Sequence, residues 1–227
     1  MEQPDTESMQ QALLLADLIR NDRKWFGRLA KCYWGFAFKA TRIYETFTTQ
    51  MPNDADRTVL NFGCGNRFYD DAINSDLFAP HRYLKGLSRP DLYWSGSVEL
   101  KYLRNYFSGI VCEHVIEHIL PNNVLGLFSN FIKALKPGGT LVVTFPDIRK
   151  VLDSNACQGF TSSIVAANSV IYRFGHVFMY SAPIVCEMLT SVGFENTRIG
   201  AFGEMPLNHF LDPNREVETL YVTATKC

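Results

Sequence analysis

The six cysteines (Cys32, Cys64, Cys112, Cys157, Cys186 and Cys227) include no Cys-x-x-Cys pair. That scatter excludes a zinc–thiolate knuckle, provides no disulfide framework and fits reduced thiols. An excess of charge of either sign is also missing. The net charge is −1, so the field of the whole molecule gives nucleic acid or an acidic surface no particular hold. No apolar run approaches the length of a membrane span, and the start Met1-Glu2-Gln3-Pro4-Asp5 is acidic, unlike a secretory leader. Internal repeats and low-complexity tracts are absent. What is there is a chain of 227 residues, 47% hydrophobic and 20% charged. That suffices for one α/β domain with a small appendage and a sizeable core. The expectation is a soluble, cytoplasmic protein without a membrane span, its oligomeric state open.

Residues 6–20 carry an amphipathic pattern (Leu13, Leu14, Ala16, Leu18, Ile19), with Thr6 placed to cap a helix. Residues 22–48 form a second helical stretch rich in aromatics and bases. Met51-Pro52-Asn53-Asp54 reads as a linker, dividing a helical extension, residues 1–52, from a main domain, residues 53–227. Within that domain strands are expected near 58–62, 73–76, 91–94, 109–113, 139–145, 195–202 and 217–225. Helices are expected over 97–106, 121–135 and 181–192. Alternating βα units predict a parallel sheet with right-handed crossovers, and a short last connection predicts an antiparallel final pair.

The densest signal is Thr58-Val59-Leu60-Asn61-Phe62-Gly63-Cys64-Gly65-Asn66, followed by Ile73-Asn74-Ser75-Asp76-Leu77. A β-type run stops at a Gly-x-Gly turn, where backbone can approach a ligand closely. The next apolar step ends on a carboxylate, suited to a ribose diol. The third glycine of Gly-x-Gly-x-x-Gly is missing, which argues against a pyrophosphate and for a nucleoside carrying no phosphate. Only ten residues separate Gly65 from Asp76, too few for a full crossover helix. The first helix must therefore be stunted and its place open or covered from elsewhere, with the N-terminal aromatic helix as the expected cover.

Further along, Lys136-Pro137-Gly138-Gly139-Thr140 joins an apolar helical stripe to the strand Leu141–Phe145. Val192-Gly193-Phe194 makes a similar junction, and His114-Val115-Ile116-Glu117-His118 follows the fourth strand. Over residues 57–225 these ordered motifs resemble the class I S-adenosylmethionine-dependent methyltransferases, most closely their broad type 11 group. The resemblance implies a Rossmann-like, doubly wound, seven-stranded sheet, mostly parallel with an antiparallel edge hairpin. It places the cofactor S-adenosylmethionine against Asn61, Gly63, Cys64, Gly65, Asp76, Leu77, Ser97, Cys112 and Glu113. One departure stands out. Where the family commonly has an acid after the third strand, this chain reads Trp94-Ser95-Gly96-Ser97, so a hydroxyl or a backbone group must serve there.

His114, Glu117 and His118 stand at i, i+3 and i+4, on one face of a helical turn. Two imidazoles and a carboxylate so placed form half of a divalent-metal site, by the geometry that makes HExxH bind zinc. The pattern resembles the Glu-x-x-Glu-His metal motif of small-RNA 2′-O-methyltransferases, which add a histidine from a later loop. His176 stands at a similar separation here. With His114 in place of a carboxylate, a set of His114, Glu117, His118 and His176 suits zinc, iron, cobalt or nickel better than magnesium. In the alternative without metal these groups knit loops together, and His114 or His176 is the candidate general base.

The N-terminal bases Arg20, Arg23, Lys24, Arg28, Lys31, Lys39 and Arg42 interleave with aromatics. A lid, a dimer contact, an anion patch and a plainly packed helix are all compatible with that pattern. The expected activity is methyl transfer to a small-molecule hydroxyl, on a saccharide or secondary metabolite, with nucleic acid not expected as partner. Two competing readings are an RNA 2′-O-methyltransferase and a methyltransferase-like binding protein without activity.

Overall fold

The computed structural model describes residues 27–47, 56–79, 85–154, 160–172 and 175–227. The β-type runs become strands β1 (Val59–Phe62), β2 (Ile73–Asp76), β3 (Leu92–Tyr93), β4 (Phe107–Glu113), β5 (Leu135–Pro146), β6 (Glu195–Gly200) and β7 (Thr219–Thr225). They form one sheet in the order β3-β2-β1-β4-β5-β7-β6. The first five run parallel, and β7 lies antiparallel to both β5 and β6. The helices are α1 (Gly27–Phe47), α2 (Pro121–Ala134), α3 (Ile148–Ser154), α4 (Phe160–Tyr172) and α5 (Ala182–Ser191). Among the described residues no helix is long and apolar enough to cross a membrane.

Helix α2 shows why these residues adopt this structure. Pro121 opens it, where a missing N–H costs nothing. Val124, Leu127, Phe128 and Phe131 then recur at helical spacing and are all buried. They pack on alternate sheet residues, including Leu60, Phe62, Ile110, Cys112, Leu141 and Val143, joined by Val185 and Leu189 of α5. Phe131 meets Phe62 edge-on, with ring centroids 4.9 Å apart. Truncating such a buried ring costs about 3–5 kcal/mol.

Some elements depart from expectation. The helix expected over 97–106 is reduced to a single 3-10 turn, Lys101–Leu103. Gly96 (φ 71°) and Asn105 (φ 51°) hold left-handed backbone at either end, and Trp94 Nε1 donates to the carbonyl of Val98 (2.9 Å). Helices α3 and α4 occupy ground where no element was expected. The helix expected over 6–20 and the domain boundary at 52–53 lie outside the described residues.

The opposite sheet face is covered in an unexpected way. Residues 63–72 contain no helix, so the first crossover is a bare loop. Its cover is the β6–β7 connection, residues 201–218, which is far from the short hairpin link expected there. Met205, Phe210 and Leu211 of this strap are buried against Val111, Val142 and Tyr221. Gly109 makes room for Leu207, whose Cδ1 would lie 2.6 Å from an added Cβ. Phe210 meets the Tyr69 ring edge-on at 5.1 Å. Arg67 pairs with Asp212, and the Asp212 N–H donates to Glu113 Oε1 (2.8 Å). The strap therefore replaces the helix that the loop is too short to form. The N-terminal helix, the cover expected from sequence, packs instead at the β3 edge.

Burial pushes the Asp212 carboxyl up, but the Asn214 N–H and the Arg67 guanidinium outweigh it and hold the group below its ordinary value. A carboxylate depressed in the folded state stabilises above its unfolded pKa and loses that contribution as pH falls through the folded value. Arg67→Ala should cost about 1 kcal/mol at pH 7, since the arginine is partly solvated. The gap in unfolding free energy between wild type and variant should shrink below about pH 4. Equal gaps at pH 7 and pH 3 would show that the ion pair does not fasten the strap.

Candidate functional site

In open α/β sheets, ligands bind beyond the carboxyl ends of the strands, where the strand order reverses. Here that point lies between β1 and β4. The turn after β1 is fastened to the end of β2: the N–H groups of Gly63 and Cys64 both donate to the carbonyl of Ser75 (2.8 and 3.0 Å). Gly63 (φ 72°) and Gly65 (φ 52°) are both left-handed, but they differ in surroundings. A Cβ on Gly63 would run into Val115, whereas one on Gly65 would meet nothing within 4 Å. Gly65 thus borders open space where a ligand can approach, and Gly63 is glycine because of its backbone and Val115.

Asp76 accepts from the Gly65 N–H through Oδ2 (3.0 Å) and from the Leu77 N–H through Oδ1 (2.7 Å). It orders the turn and stands half-exposed at the end of β2. Asn61 is buried and donates to the carbonyl of Arg67 (2.9 Å) and to Asn74 Oδ1 (3.0 Å), so its amide orders the loop beneath the site. Cys64 is also buried, its Sγ turned to the carbonyl of Gly65.

Two candidates for cofactor contact have their side chains engaged within the fold. The Cys112 thiol lies wholly inside the main core, and burial pushes its pKa well up. The Glu113 carboxylate holds the strap through Asp212.

Where the acid is missing after β3, a carboxylate from elsewhere in the chain holds the turn. Glu45 of α1 is buried, and its Oε1 accepts from both the N–H and the hydroxyl of Ser95 (2.7 Å each). Arg42 lies 3.3 Å from Glu45 Oε2 and donates to Ser97 Oγ (3.2 Å). Thr41 Oγ1 accepts from the Phe78 N–H (2.7 Å). Helix α1 is thus stitched to the carboxyl ends of β2 and β3. The gap at Ser95–Ser97 is visible in the sequence, but nothing local points to Glu45, which lies fifty positions earlier.

Beyond β4 the chain turns at His114 (φ 51°) and forms a 3-10 turn, Ile116–His118. The segment 175–180 runs alongside it: the N–H groups of Val177 and Phe178 donate to the carbonyl of Glu117 (2.8 and 3.2 Å), and the Tyr180 hydroxyl donates to that of Ile119 (2.7 Å). Glu117, His118 and His176 thereby converge, with one ligand atom from each lying within 4.8 Å of the others. The two imidazole rings meet edge-on at 4.9 Å. Burial and the neighbouring His118 hold His176 below its ordinary pKa, with Glu117 opposing. Both effects favour the neutral imidazole.

His114, expected as ligand or base, stands outside this trio. Its Nε2 is bonded to Thr219 Oγ1 (2.8 Å) and its Nδ1 lies 3.2 Å from Glu117 Oε1. The Thr219 bond fixes the ring, which stands against Glu117 from behind.

A family model described as a methyltransferase domain matches residues 33–199. An S-adenosylmethionine-dependent methyltransferase from Mesorhizobium loti superposes with a TM-score of 0.50 at 14% identity, over 83% of this chain and 96% of that one. A second, from Archaeoglobus fulgidus, superposes with a TM-score of 0.47 at 15% identity, over 89% and 100%. At such identities the likeness is one of fold. No curated protein matches the sequence significantly.

Asp76→Ala should leave the Gly65 and Leu77 N–H groups without their acceptor and weaken binding of S-adenosylhomocysteine at least about tenfold, roughly 1.4 kcal/mol, by calorimetry. Glu45→Gln should release the Ser95 turn and lower both thermal stability and that affinity. Unchanged affinity in a folded Asp76→Ala protein would remove the carboxylate from the site.

Proposed function

This chain belongs to the methyltransferase-domain family of S-adenosylmethionine-dependent enzymes, and from that premise we propose that it methylates a hydroxyl group on a small molecule with an apolar body. The observation carrying this reading is the convergence of Glu117, His118 and His176, on a segment that reaches the glycine turn through Val115. Val115, two residues before Glu117, fills the space over Gly63, so the cluster and the turn border the same region.

When bound, S-adenosylmethionine supplies an electrophilic methyl group, the S–CH3 electron pair staying on sulfur as the O–CH3 bond forms. The residues present fit that cofactor: Gly65 leaves open space where its backbone can be approached, and Asp76 sets a half-exposed carboxylate at the end of the next strand, the place suited to a ribose diol. A hydroxyl is a poor nucleophile until its proton leaves, so placement alone is a weak catalyst for this acceptor. His176, the imidazole of the cluster, and the buried Glu117 are the groups that favour loss of that proton. His114 holds Glu117 in place.

Both segments carrying the cluster expose apolar side chains next to it: Leu120 (56%), Val177 (52%) and Phe178 (37%). Such a fringe suits a phenolic or other apolar metabolite better than a saccharide. The stunted first helix and the missing acid after β3 leave no gap in the fold: the strap covers the bare loop, and Glu45 holds the Ser95 turn.

The test is transfer of labelled methyl to a panel of phenols, aliphatic alcohols and sugars. Transfer to the apolar hydroxyl compounds is expected. His176→Ala and Glu117→Gln should lower kcat by about 10²–10⁴ while leaving the affinity for S-adenosylhomocysteine nearly unchanged. Full turnover in both variants, or transfer to sugars alone, would overturn the reading.

A further inference from the structure

Glu117 poses a physical problem that the base role leaves unsolved. The residue is 0% exposed, yet neither carboxylate oxygen receives a hydrogen bond. Its Oε1 lies within ion-pair distance of His114 Nδ1, but that approach does not meet hydrogen-bond geometry, and Oε2 has no partner among the described residues. An ionised carboxylate in such a place is costly unless a positive charge offsets it. The oxygens belong to the trio whose ligand atoms lie within 4.8 Å of one another. Ligands of a tetrahedral zinc ion sit about 3.4 Å apart, so side-chain rotations of an ångström or so would close the three around an ion.

The surroundings are built for that task. Backbone hydrogen bonds from Val177 and Phe178 to the carbonyl of Glu117 lock the two ligand-bearing segments together. His114 braces the carboxylate and is itself held by Thr219, the kind of outer support that orients ligands. His118 is exposed, so one side of the trio opens to solvent.

We infer that Glu117, His118 and His176 bind a divalent transition-metal ion, with two imidazole nitrogens and one carboxylate oxygen as protein ligands. Two nitrogens among three ligands favour zinc, cobalt(II) or iron(II) over magnesium or calcium. Three protein ligands leave a position open, as in catalytic zinc sites. In the proposed methyl transfer, on which this consequence rests, the acceptor oxygen takes that position. The ion lowers the pKa of the bound hydroxyl, and its proton passes to solvent. His176 then acts as ligand in place of direct base.

Cobalt(II) is the probe. Full-length protein freed of metal with a chelator should bind one equivalent, followed by calorimetry and by the visible ligand-field bands of a low-coordinate site. Glu117→Gln, His118→Ala and His176→Ala, each shown to be folded by circular dichroism, should weaken cobalt binding at least about tenfold. His209→Ala, on the strap, should leave it unchanged. Absence of the bands in wild type, or equal affinity in wild type and all three ligand variants, would overturn the inference. Methyl transfer that survives complete metal removal would sink the ion's catalytic role but leave the methyltransferase reading intact. A cobalt-loaded protein that binds S-adenosylhomocysteine but methylates no hydroxyl compound would do the reverse.

Discussion

The ligand end of the sheet depends on one buried amide pair, Asn61 with Asn74. A crossover helix would satisfy its own backbone, but the bare loop of residues 63–72 cannot. Asn74 therefore accepts from the Tyr69 N–H and donates to the carbonyls of Tyr69 and Ala72, while Asn61 donates to that of Arg67. Asp91 accepts from the Asn74 N–H and is paired with Arg57. Buried polar groups of this kind stabilise only when their partners are complete. Here the network is complete enough to fix the loop, and the fixed loop sets the Gly63–Gly65 turn at the height of Asp76.

From this constraint the remaining oddities of the fold follow. A loop without a helix leaves one face of β1 and β4 uncovered, and the strap fills it with Met205, Leu207, Phe210 and Leu211. The strap also needs an anchor, and Glu113 provides one at the carboxyl end of β4. The same strand end then turns at His114 into the Glu117–His118 segment. Cover and chemistry are thus attached to consecutive residues, so a disturbance of the strap has a direct route to the trio.

How much the sequence discloses depends on how far each residue's partner lies along the chain. Gly63, Gly65 and Asp76 are legible because their meaning is local: a run, a turn and a carboxylate at the end of the next strand. The α2 stripe and the turn before β5 are legible for the same reason. The helix over 97–106 is misread because its apolar spacing is genuine, while the left-handed backbone at Gly96 and Asn105 that forbids it carries only weak local signals. Glu45 reads as one more charge on a basic, aromatic helix, and only Ser95 gives it a task. The trio is half legible: the Glu117–His118 spacing shows, and His176 joins it, but that His114 points at Thr219 can be known only once β7 is in place.

The strap also sets a condition on how the chain comes to be folded. Val111 and Val142 lie on a sheet face whose cover is drawn from residues 201–218. During synthesis the first five strands emerge well before that segment, so a half-made chain carries an apolar face with nothing to bury it against. The sheet can complete itself only after β6 and β7 leave the ribosome, and contacts this remote in sequence form slowly. Nascent chains should therefore be a natural substrate for folding assistance, and a stop codon anywhere before residue 201 should yield a protein that aggregates instead of one that merely lacks its last strand.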